Sequence, residues 1–234
     1  MGRPEQWWVG ARPLVDLILA VPRPLRLERI LPVVSCIGVG RLVLIGASKV
    51  QADYFGSHLF RRPAELRKGL VEGLSQGASD GHVPDVIVRR NFKKFVESDE
   101  FDAMFDDGCQ KVVAHPPSAT LPLQPVRIAT LPKLLVTDKV GSPTQSQALP
   151  QQQLQQRLQE QPAPPDQSQP PSLGPGRIVV AVGPEGGWED EEVQLLVSKG
   201  FQLCSLGPRI LRTDLAVPVL LGLAHDWVRG EEAP

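Results

Sequence analysis

Short runs of strand-forming residues alternate with amphipathic helical segments along most of this 234-residue chain. An apolar run at 14–21 is followed by apolar residues at helical spacing over 27–34, and then by a second apolar run at 41–46. Consecutive parallel strands need a crossover segment, usually a helix, whereas antiparallel strands can be joined by a tight turn. This alternation therefore predicts an α/β fold, with a mostly parallel sheet and helices on both faces.

Later segments continue the same pattern. Pro63 is suited to the first position of a helix, and the side chains predicted to face the core there are Leu66, Leu70, Val71 and Leu74. Strands are predicted at 86–88, 111–115, 177–183 and within 201–207. Helices are predicted at 92–97 with Asn91 as N-cap, at about 189–199, and from residue 213 or 214 to residue 227. Pro32 falls inside a helical segment, where it removes a hydrogen bond and should kink or shorten the helix. Pro218 fits the last helix poorly unless it lies within about the first turn.

One segment breaks the pattern, because 11 Gln fall within residues 145–169 and Pro recurs around them. Such a composition lacks the apolar side chains needed to form a core and predicts a disordered insertion. The predicted organisation is an N-terminal extension at 1–13, one domain in two parts at 14–142 and 177–230, and the insertion at 143–176.

Composition excludes several classes of protein. The three cysteines are far apart and form no Cys-x-x-Cys pair, and the four histidines lack metal-ligand spacing, so we expect no metal site and no disulfide framework. No apolar run approaches the roughly 20 residues of a membrane span, so we expect no membrane association. Aromatic residues are 5% of the chain, which disfavours a row of base-stacking side chains.

The net charge of −1 hides an asymmetry along the chain. Residues 1–97 hold 15 Lys and Arg against 9 Asp and Glu, whereas residues 98–176 and 177–234 are acidic, at −3 and −4. Only the N-terminal stretch therefore has the charge that suits a phosphate backbone. A solvated helical face explains the same charge without any partner.

The most informative local motif is VAVGPEGGWEDEEV at 180–193, in which a strand, a Gly-rich loop and a helix follow one another. Gly-rich loops allow backbone N–H groups to approach a ligand closely. The spacing matches neither common phosphate-binding motif, and the acidic helix start would repel a pyrophosphate. A cationic ligand such as S-adenosylmethionine fits better than ATP or a dinucleotide. A tight turn before a capped helix remains the purely structural alternative.

A second motif, SLGPRILRTDL at 205–215, combines a Gly-Pro turn with two arginines three residues apart. Arg209 and Arg212 could share one face, although a pair of turn arginines commonly forms surface ion pairs. Together, the two motifs resemble the C-terminal signature of the RsmE family, SPOUT-superfamily enzymes that methylate N3 of a uridine in small-subunit ribosomal RNA. The segments at 22–50, 70–77, 83–86 and 111–116 also resemble this family, so that the resemblance covers about 14–117 and 177–228.

The resemblance implies a SPOUT α/β fold with a trefoil knot at the C-terminal end, S-adenosyl-L-methionine as cofactor, small-subunit ribosomal RNA as partner, and a homodimer. It implies a cofactor pocket formed by His115, Gly183, Pro184, Glu185, Gly186, Gly187, Leu206, Gly207, Arg209, Ile210 and Leu211. Arg212 is the predicted catalytic residue, stabilising charge on the uracil oxygens. Thr213 and Asp214 either cap the last helix or assist proton removal. The compartment expected is the cytoplasm, or an organelle in a eukaryote.

The chain also departs from the family pattern. The family usually begins with a small PUA-like β-barrel that grips RNA, whereas the first strand expected here lies at 14–21. RNA recognition would then rely on the basic stretch at 1–97 or on a partner. Two alternatives to an active methyltransferase stay open: a catalytically weakened SPOUT-fold module that binds RNA or cofactor, and a nucleotide-binding domain that uses the Gly-rich loop.

Overall fold

A computed structural model of the chain describes residues 12–77, 82–116, 124–131 and 176–229. Within them, one sheet of six parallel strands has the order β3-β2-β1-β5-β4-β6. The strands are β1 (Val15–Ala20), β2 (Arg41–Ile45), β3 (Asp85–Arg89), β4 (Cys109–Ala114), β5 (Arg177–Val182) and β6 (Gln202–Cys204). The parallel α/β sheet predicted from the alternating pattern is confirmed.

Seven α-helices are formed by the described residues. They are α1 (Pro24–Ile37), α2 (His58–Arg61), α3 (Pro63–Gln76), α4 (Phe92–Val96), α5 (Asp99–Met104), α6 (Asp190–Ser198) and α7 (Thr213–Arg229). Two short 3-10 helices lie at Ala52–Gly56 and Ile128–Thr130. The predicted cap of α4 is confirmed, since the Asn91 side chain accepts a hydrogen bond from the Lys94 amide at 2.9 Å.

Two hydrophobic cores cover the two faces of the sheet. Alternate residues of each central strand point to opposite faces, so that Leu17 of β1 lies in one core and Ile18 in the other. Helices α1, α3 and α7 pack on the first face, and helices α4, α5 and α6 pack on the second. Helices on both faces explain why β1 and β5 are apolar almost throughout, as buried parallel strands are.

One buried ion pair joins the two central strands. Asp16 of β1 and Arg177, the first residue of β5, are both almost fully buried and form a salt bridge. The other carboxylate oxygen of Asp16 accepts the backbone N–H of Arg41 at 2.8 Å, so the same side chain also holds the start of β2. Burial, together with the nearby positive charge of Arg12, lowers the pKa of Arg177 to about 10.

A described piece of the connection between β4 and β5 lies on the outer side of β6. Strand β6 pairs with β4 on one side, and on the other side Cys204 bridges Val126, a residue of that connection. The Val126 amide donates to the Leu203 carbonyl at 2.7 Å. The chain after β4 therefore passes outside β6 before it returns to form β5. This crossing agrees with the C-terminal knot of a SPOUT fold, which is an exception to the rule that chains do not thread loops.

Several local expectations from the sequence are wrong. Val71 is 44% exposed, because α3 instead turns Gly73 toward α1, where an added Cβ would lie 2.0 Å from the Pro32 carbonyl oxygen. Helix α1 continues past Pro32 to Ile37, and Pro218 is accommodated as the sixth residue of α7, beyond the first turn. Strand β4 begins at Cys109 and ends before His115, and α5 was not predicted. The predicted insertion lies outside the described residues, apart from Gly176.

Candidate cofactor and RNA site

A cavity of about 510 Å³ opens where β4, β5 and β6 end. The segment 182–188, after β5, forms one wall, and the segment 204–213, after β6, forms another. His115 and Pro116 follow β4, Arg26 reaches in from α1, and Ala216 and Leu220 contribute from α7. Ligands of parallel α/β sheets bind at this carboxyl edge of the strands, and the volume lies within the usual range for small-molecule sites.

The structure brings together every site residue predicted from the sequence. The residues with a predicted cofactor or catalytic role that line the cavity are His115, Gly183, Pro184, Glu185, Gly186, Gly187, Leu206, Gly207, Arg209, Ile210, Leu211 and Arg212. These residues come from three separate strand ends, and His115 is 68 positions before Gly183 in the sequence. Their shared location is an observation, whereas their individual roles stay predictions.

The Gly-rich loop is held in a tight turn. The Gly187 amide donates to the Pro184 carbonyl at 2.9 Å, and Gly187 has φ +73°, a conformation that a residue with a Cβ rarely adopts. Gly183 lies against Trp188, because a Cβ added to Gly183 would come within 3.2 Å of the indole. The indole itself packs on Phe92 in the second core. The loop is therefore anchored at its carboxyl end by a buried aromatic side chain.

Glu192 ties this loop to the rest of the sheet. Its carboxylate accepts the Glu189 backbone N–H at 2.9 Å, as one half of the capping box that starts α6. The same carboxylate accepts the Ser48 backbone N–H at 2.8 Å and the Ser48 hydroxyl at 3.0 Å. Glu192 is buried, and its three hydrogen bonds fix the loop after β5 to the loop after β2.

Lys49 supports the outside of the Gly-rich loop. A Cβ added to Gly186 would lie 2.9 Å from Cδ of Lys49, so this glycine leaves room for the lysine stem. The Lys49 ammonium lies 3.2 Å from the Glu189 carboxylate. The absence of a side chain at Gly186 therefore serves the packing of two loops.

The second wall is linked directly to the first. The Thr213 hydroxyl donates to the Gly183 carbonyl at 3.5 Å, and Thr213 is almost fully buried at the start of α7. Gly207 has φ +108° and has no atom within 4 Å of the position its Cβ would take. The turn at Gly207 is therefore open to the cavity, and Thr213 closes the two walls against each other.

Charged side chains stand at the cavity rim. Glu185 accepts the Arg23 backbone N–H at 3.1 Å and lies 3.3 Å from the Arg26 guanidinium. Arg212 donates to the Asp214 carboxylate at 2.7 Å and remains 63% exposed. Arg26 was not predicted as a site residue. The sequence shows only its spacing from other arginines, whereas its partner Glu185 lies 159 positions later, in the Gly-rich loop.

Two buried ring nitrogens in the cavity lining have no hydrogen-bond partner. They are Nδ1 of His115 and Nε1 of Trp188. Burial lowers the pKa of His115, and the Asp190 carboxylate opposes this shift. Buried polar groups in proteins are nearly always hydrogen-bonded, so orphaned atoms in a cavity wall fit a site that a polar ligand completes.

Two further searches bear on the class of the protein. Among the residues that the structure describes, no group of three or more His, Cys, Asp or Glu is arranged to hold a metal ion. None of the described helices combines the length and the apolar character that crossing a membrane requires.

Comparison with known proteins agrees with this site. A family model described as an RNA methyltransferase domain matches residues 147–225. A ribosomal RNA small subunit methyltransferase E of Synechocystis is 57% identical over 47 residues, 20% of this chain and 16% of that protein. The protein of the same name from Treponema pallidum is 25% identical over 219 residues, 92% of this chain and 64% of its own length.

The fold also matches solved structures. The crystal structure of a ribosomal RNA small subunit methyltransferase E from Neisseria gonorrhoeae, bound to S-adenosyl methionine, superposes with a TM-score of 0.60 at 17% identity. The match covers 91% of this chain and 65% of that one. At this identity, the superposition establishes the fold.

The fold is the α/β fold of SPOUT-type methyltransferases, and residues 147–225 match the RNA methyltransferase domain. The curated proteins that the chain resembles in sequence are ribosomal RNA small subunit methyltransferases E. The aligned part of the chain spans less than two thirds of the length of these curated relatives.

Proposed function

We propose that this protein transfers a methyl group from S-adenosyl-L-methionine to N3 of a uridine in small-subunit ribosomal RNA. The observation that carries the proposal is the cavity between the loop after β5 and the loop after β6. The hydrogen bond from Thr213 to Gly183 joins these two loops. Sequence similarity to ribosomal RNA small subunit methyltransferases E supports the reaction, and the S-adenosyl methionine bound to the Neisseria gonorrhoeae protein supports the cofactor.

The lining suits this cofactor better than a nucleoside triphosphate. Helix α6 begins beside the Gly-rich loop with three acidic residues, Asp190, Glu191 and Glu192, which would repel a triphosphate. The orphaned nitrogens of His115 and Trp188 are available as hydrogen-bonding partners for an adenosine or a carboxylate. The open turn at Gly207 leaves backbone groups accessible to the adenine, as the family resemblance implies.

When bound, S-adenosylmethionine would supply an electrophilic methyl carbon: its bond to sulfur would break as its bond to N3 forms, and the N3 proton would pass to water. The two loops hold the reactants in line, and alignment of this kind lowers the barrier by several kcal/mol. The exposed Arg212 guanidinium stabilises the negative charge that develops on the uracil oxygens. Asp214, which accepts a hydrogen bond from Arg212, fixes the direction of this side chain.

A homodimer is part of the proposal. Leu215 and Val219 are 50% and 45% exposed and lie one helical turn apart on α7, and Ile210, in the segment before this helix, is also exposed. Leu25 at the start of α1 is 69% exposed, and α1 packs against α7. A second copy of the chain placed on this apolar surface would bury it next to the cavity.

The direct test is a methylation assay with tritiated S-adenosylmethionine and small-subunit ribosomal RNA. We expect label in the RNA, together with a reverse-transcription stop at one uridine, because a methyl group at N3 blocks base pairing. Labelled RNA without such a stop would indicate that the methyl group is attached to another atom. Cofactor binding without any methyl transfer would instead support the catalytically weakened binding module.

A further inference from the structure

Two neighbouring arginines at the end of β3 differ in their surroundings. Arg89 is neutralised, because its guanidinium forms a two-point ion pair with Glu100. Arg90 is exposed and, among the described residues, has no carboxylate within ion-pairing distance. Its guanidinium lies 5.5 Å from the centre of the Phe55 ring. The ring holds Arg90 in place through a cation–π contact while its N–H groups remain free at the edge.

Arg90 is connected to the cavity wall through the short loop at residues 46–50. A Cβ added to Gly46, the first residue after β2, would lie 2.2 Å from the Arg90 carbonyl oxygen. Three residues later in this loop, Lys49 packs against Gly186 of the cavity wall. Residues 46–50 therefore lie between Arg90 and the Gly-rich loop that forms one wall of the cavity.

The positive charge continues from Arg90 onto α2. Phe55 packs on Phe60 at 5.1 Å between ring centres, and Arg61 follows Phe60 with its guanidinium 3.8 Å from the Cβ position of Gly56. Arg61 and Arg62 are exposed and, like Arg90, have no ion-pair partner among the described residues. We refer to Arg61, Arg62 and Arg90 as the arginine surface.

The rim of the cavity itself is largely neutralised. Glu185 faces Arg26, and Glu189 faces Lys49. Of the acidic side chains on the adjoining elements, Glu28 pairs with His58, and neither Asp53 nor Glu65 forms an ion pair with an arginine of this surface. Among the described residues, an extended polyanion that reaches the cavity would therefore meet unpaired arginines at two places: Arg209 at the rim, and the arginine surface on the far side of the 46–50 loop.

We propose that the arginine surface binds the phosphate backbone of the RNA strand whose uridine enters the cavity. This inference rests on the proposed function and adds the path of the RNA to it. Guanidinium groups match phosphate geometry, and backbone contacts of this kind fix the register of the RNA without reading its sequence. Residues of the methyltransferase domain itself would then bind the substrate RNA.

The test measures the binding of a fluorescein-labelled fragment of small-subunit ribosomal RNA by anisotropy, over a series of KCl concentrations. We expect Arg90→Gln and Arg61→Gln each to lower the magnitude of the slope of log K against log[KCl] by about 0.7 to 0.9, the value for one lost phosphate contact. At 0.1 M KCl this corresponds to about five-fold to eight-fold weaker binding. S-adenosylmethionine affinity, measured by calorimetry, should stay within about two-fold of wild type.

The matched control is Arg229→Gln. Arg229 is an exposed arginine at the last residue of α7, a helix of 17 residues that begins at the cavity and places Arg229 about 24 Å away. We expect the control to keep the wild-type slope, and the thermal midpoints of all variants to confirm folding.

Three results would each contradict the proposal that the arginine surface binds RNA. They are unchanged slopes for Arg90→Gln and Arg61→Gln, an equal loss of slope for Arg229→Gln, and a wild-type protein that binds no RNA. A wild-type protein that binds RNA through these arginines but binds no S-adenosylmethionine would overturn the proposed function alone.

Discussion

Arg212 is the cavity residue whose surroundings best separate a role in catalysis from one in cofactor binding. Its side chain points to Asp214 and is 63% exposed, so that little of the cavity wall depends on it. We predict that Arg212→Ala lowers kcat by about 10²-fold to 10³-fold, as the loss of one charge-stabilising donor does. Single-turnover assays measure this effect. Calorimetry should give an S-adenosylmethionine Kd within about two-fold of wild type, and a large loss of affinity would instead assign Arg212 to the pocket.

The Asp16 carboxylate is predicted to be the most sensitive buried group for stability. Asp16→Asn leaves the Arg177 guanidinium buried without a counter-charge, which costs about 3 to 5 kcal/mol in comparable proteins. Urea unfolding measures this loss. The control is Asp85→Asn, whose partner Arg12 and own side chain are both partly exposed, so that about 1 kcal/mol or less is expected. Equal losses in the two variants would contradict a special role for the buried pair.

Individual residues were predictable from the sequence where the chemistry was local. Asn91 was identified as a cap because its side chain reaches a backbone N–H only three positions ahead. Asp16 was visible as a charge in an apolar strand, yet its partner Arg177 is 161 positions away. No spacing rule relates two such positions, because the sheet order that makes them neighbours arises only on folding.

Glu192 acts at the scale of elements, since it joins the start of α6 to the loop after β2. Glu192→Ala removes the hydrogen bonds to Ser48 and to the Glu189 backbone, so we predict about ten-fold weaker S-adenosylmethionine binding by calorimetry. Glu192→Gln keeps one acceptor oxygen and should restore part of the affinity. Glu191→Ala, at an exposed neighbouring position on the same helix, is the control. Wild-type affinity in Glu192→Ala would show that the loop holds its shape without this carboxylate.

The exposed apolar side chains of α7 test the proposed homodimer. We predict that Val219→Glu converts a dimer into a monomer, because a carboxylate would have to be buried against the partner. Light scattering coupled to size-exclusion chromatography measures the mass. Val71→Glu is closely matched, since Val71 is 44% exposed on α3 and Val219 is 45% exposed. A monomeric wild type, or a Val219→Glu variant that remains dimeric, would rule out this interface.

Most strands and long helices could be predicted, because periodicity is a local property of the sequence. It was harder to predict which helix residues face the core, as Val71 shows. Leu70 and Val71 both fit the helical stripe, but α3 crosses α1 at Gly73, and this close contact rotates Val71 toward solvent. The short helix α5 lacks a full period of apolar residues, and so the pattern could not reveal it.

At the scale of the whole molecule, the site depends on the order of the strands in the sheet. Strand β6 lies between β4 and Val126, and this position brings the loop after β6 against the loop after β5. The sequence motifs identified both loops, and the family resemblance implied that they meet. The contact that joins them, from Thr213 to Gly183, follows from the sheet order and has no signal in the sequence, and the same holds for the contact of Glu192 with Ser48 in the loop after β2.

Isothermal titration calorimetry of the wild-type chain with S-adenosylmethionine, and separately with ATP, tests most directly whether the two loops form a cofactor site. We predict saturable binding of one S-adenosylmethionine per chain and no measurable binding of ATP, because the acidic start of α6 repels phosphate. Binding of ATP in the absence of any heat from S-adenosylmethionine would contradict the account.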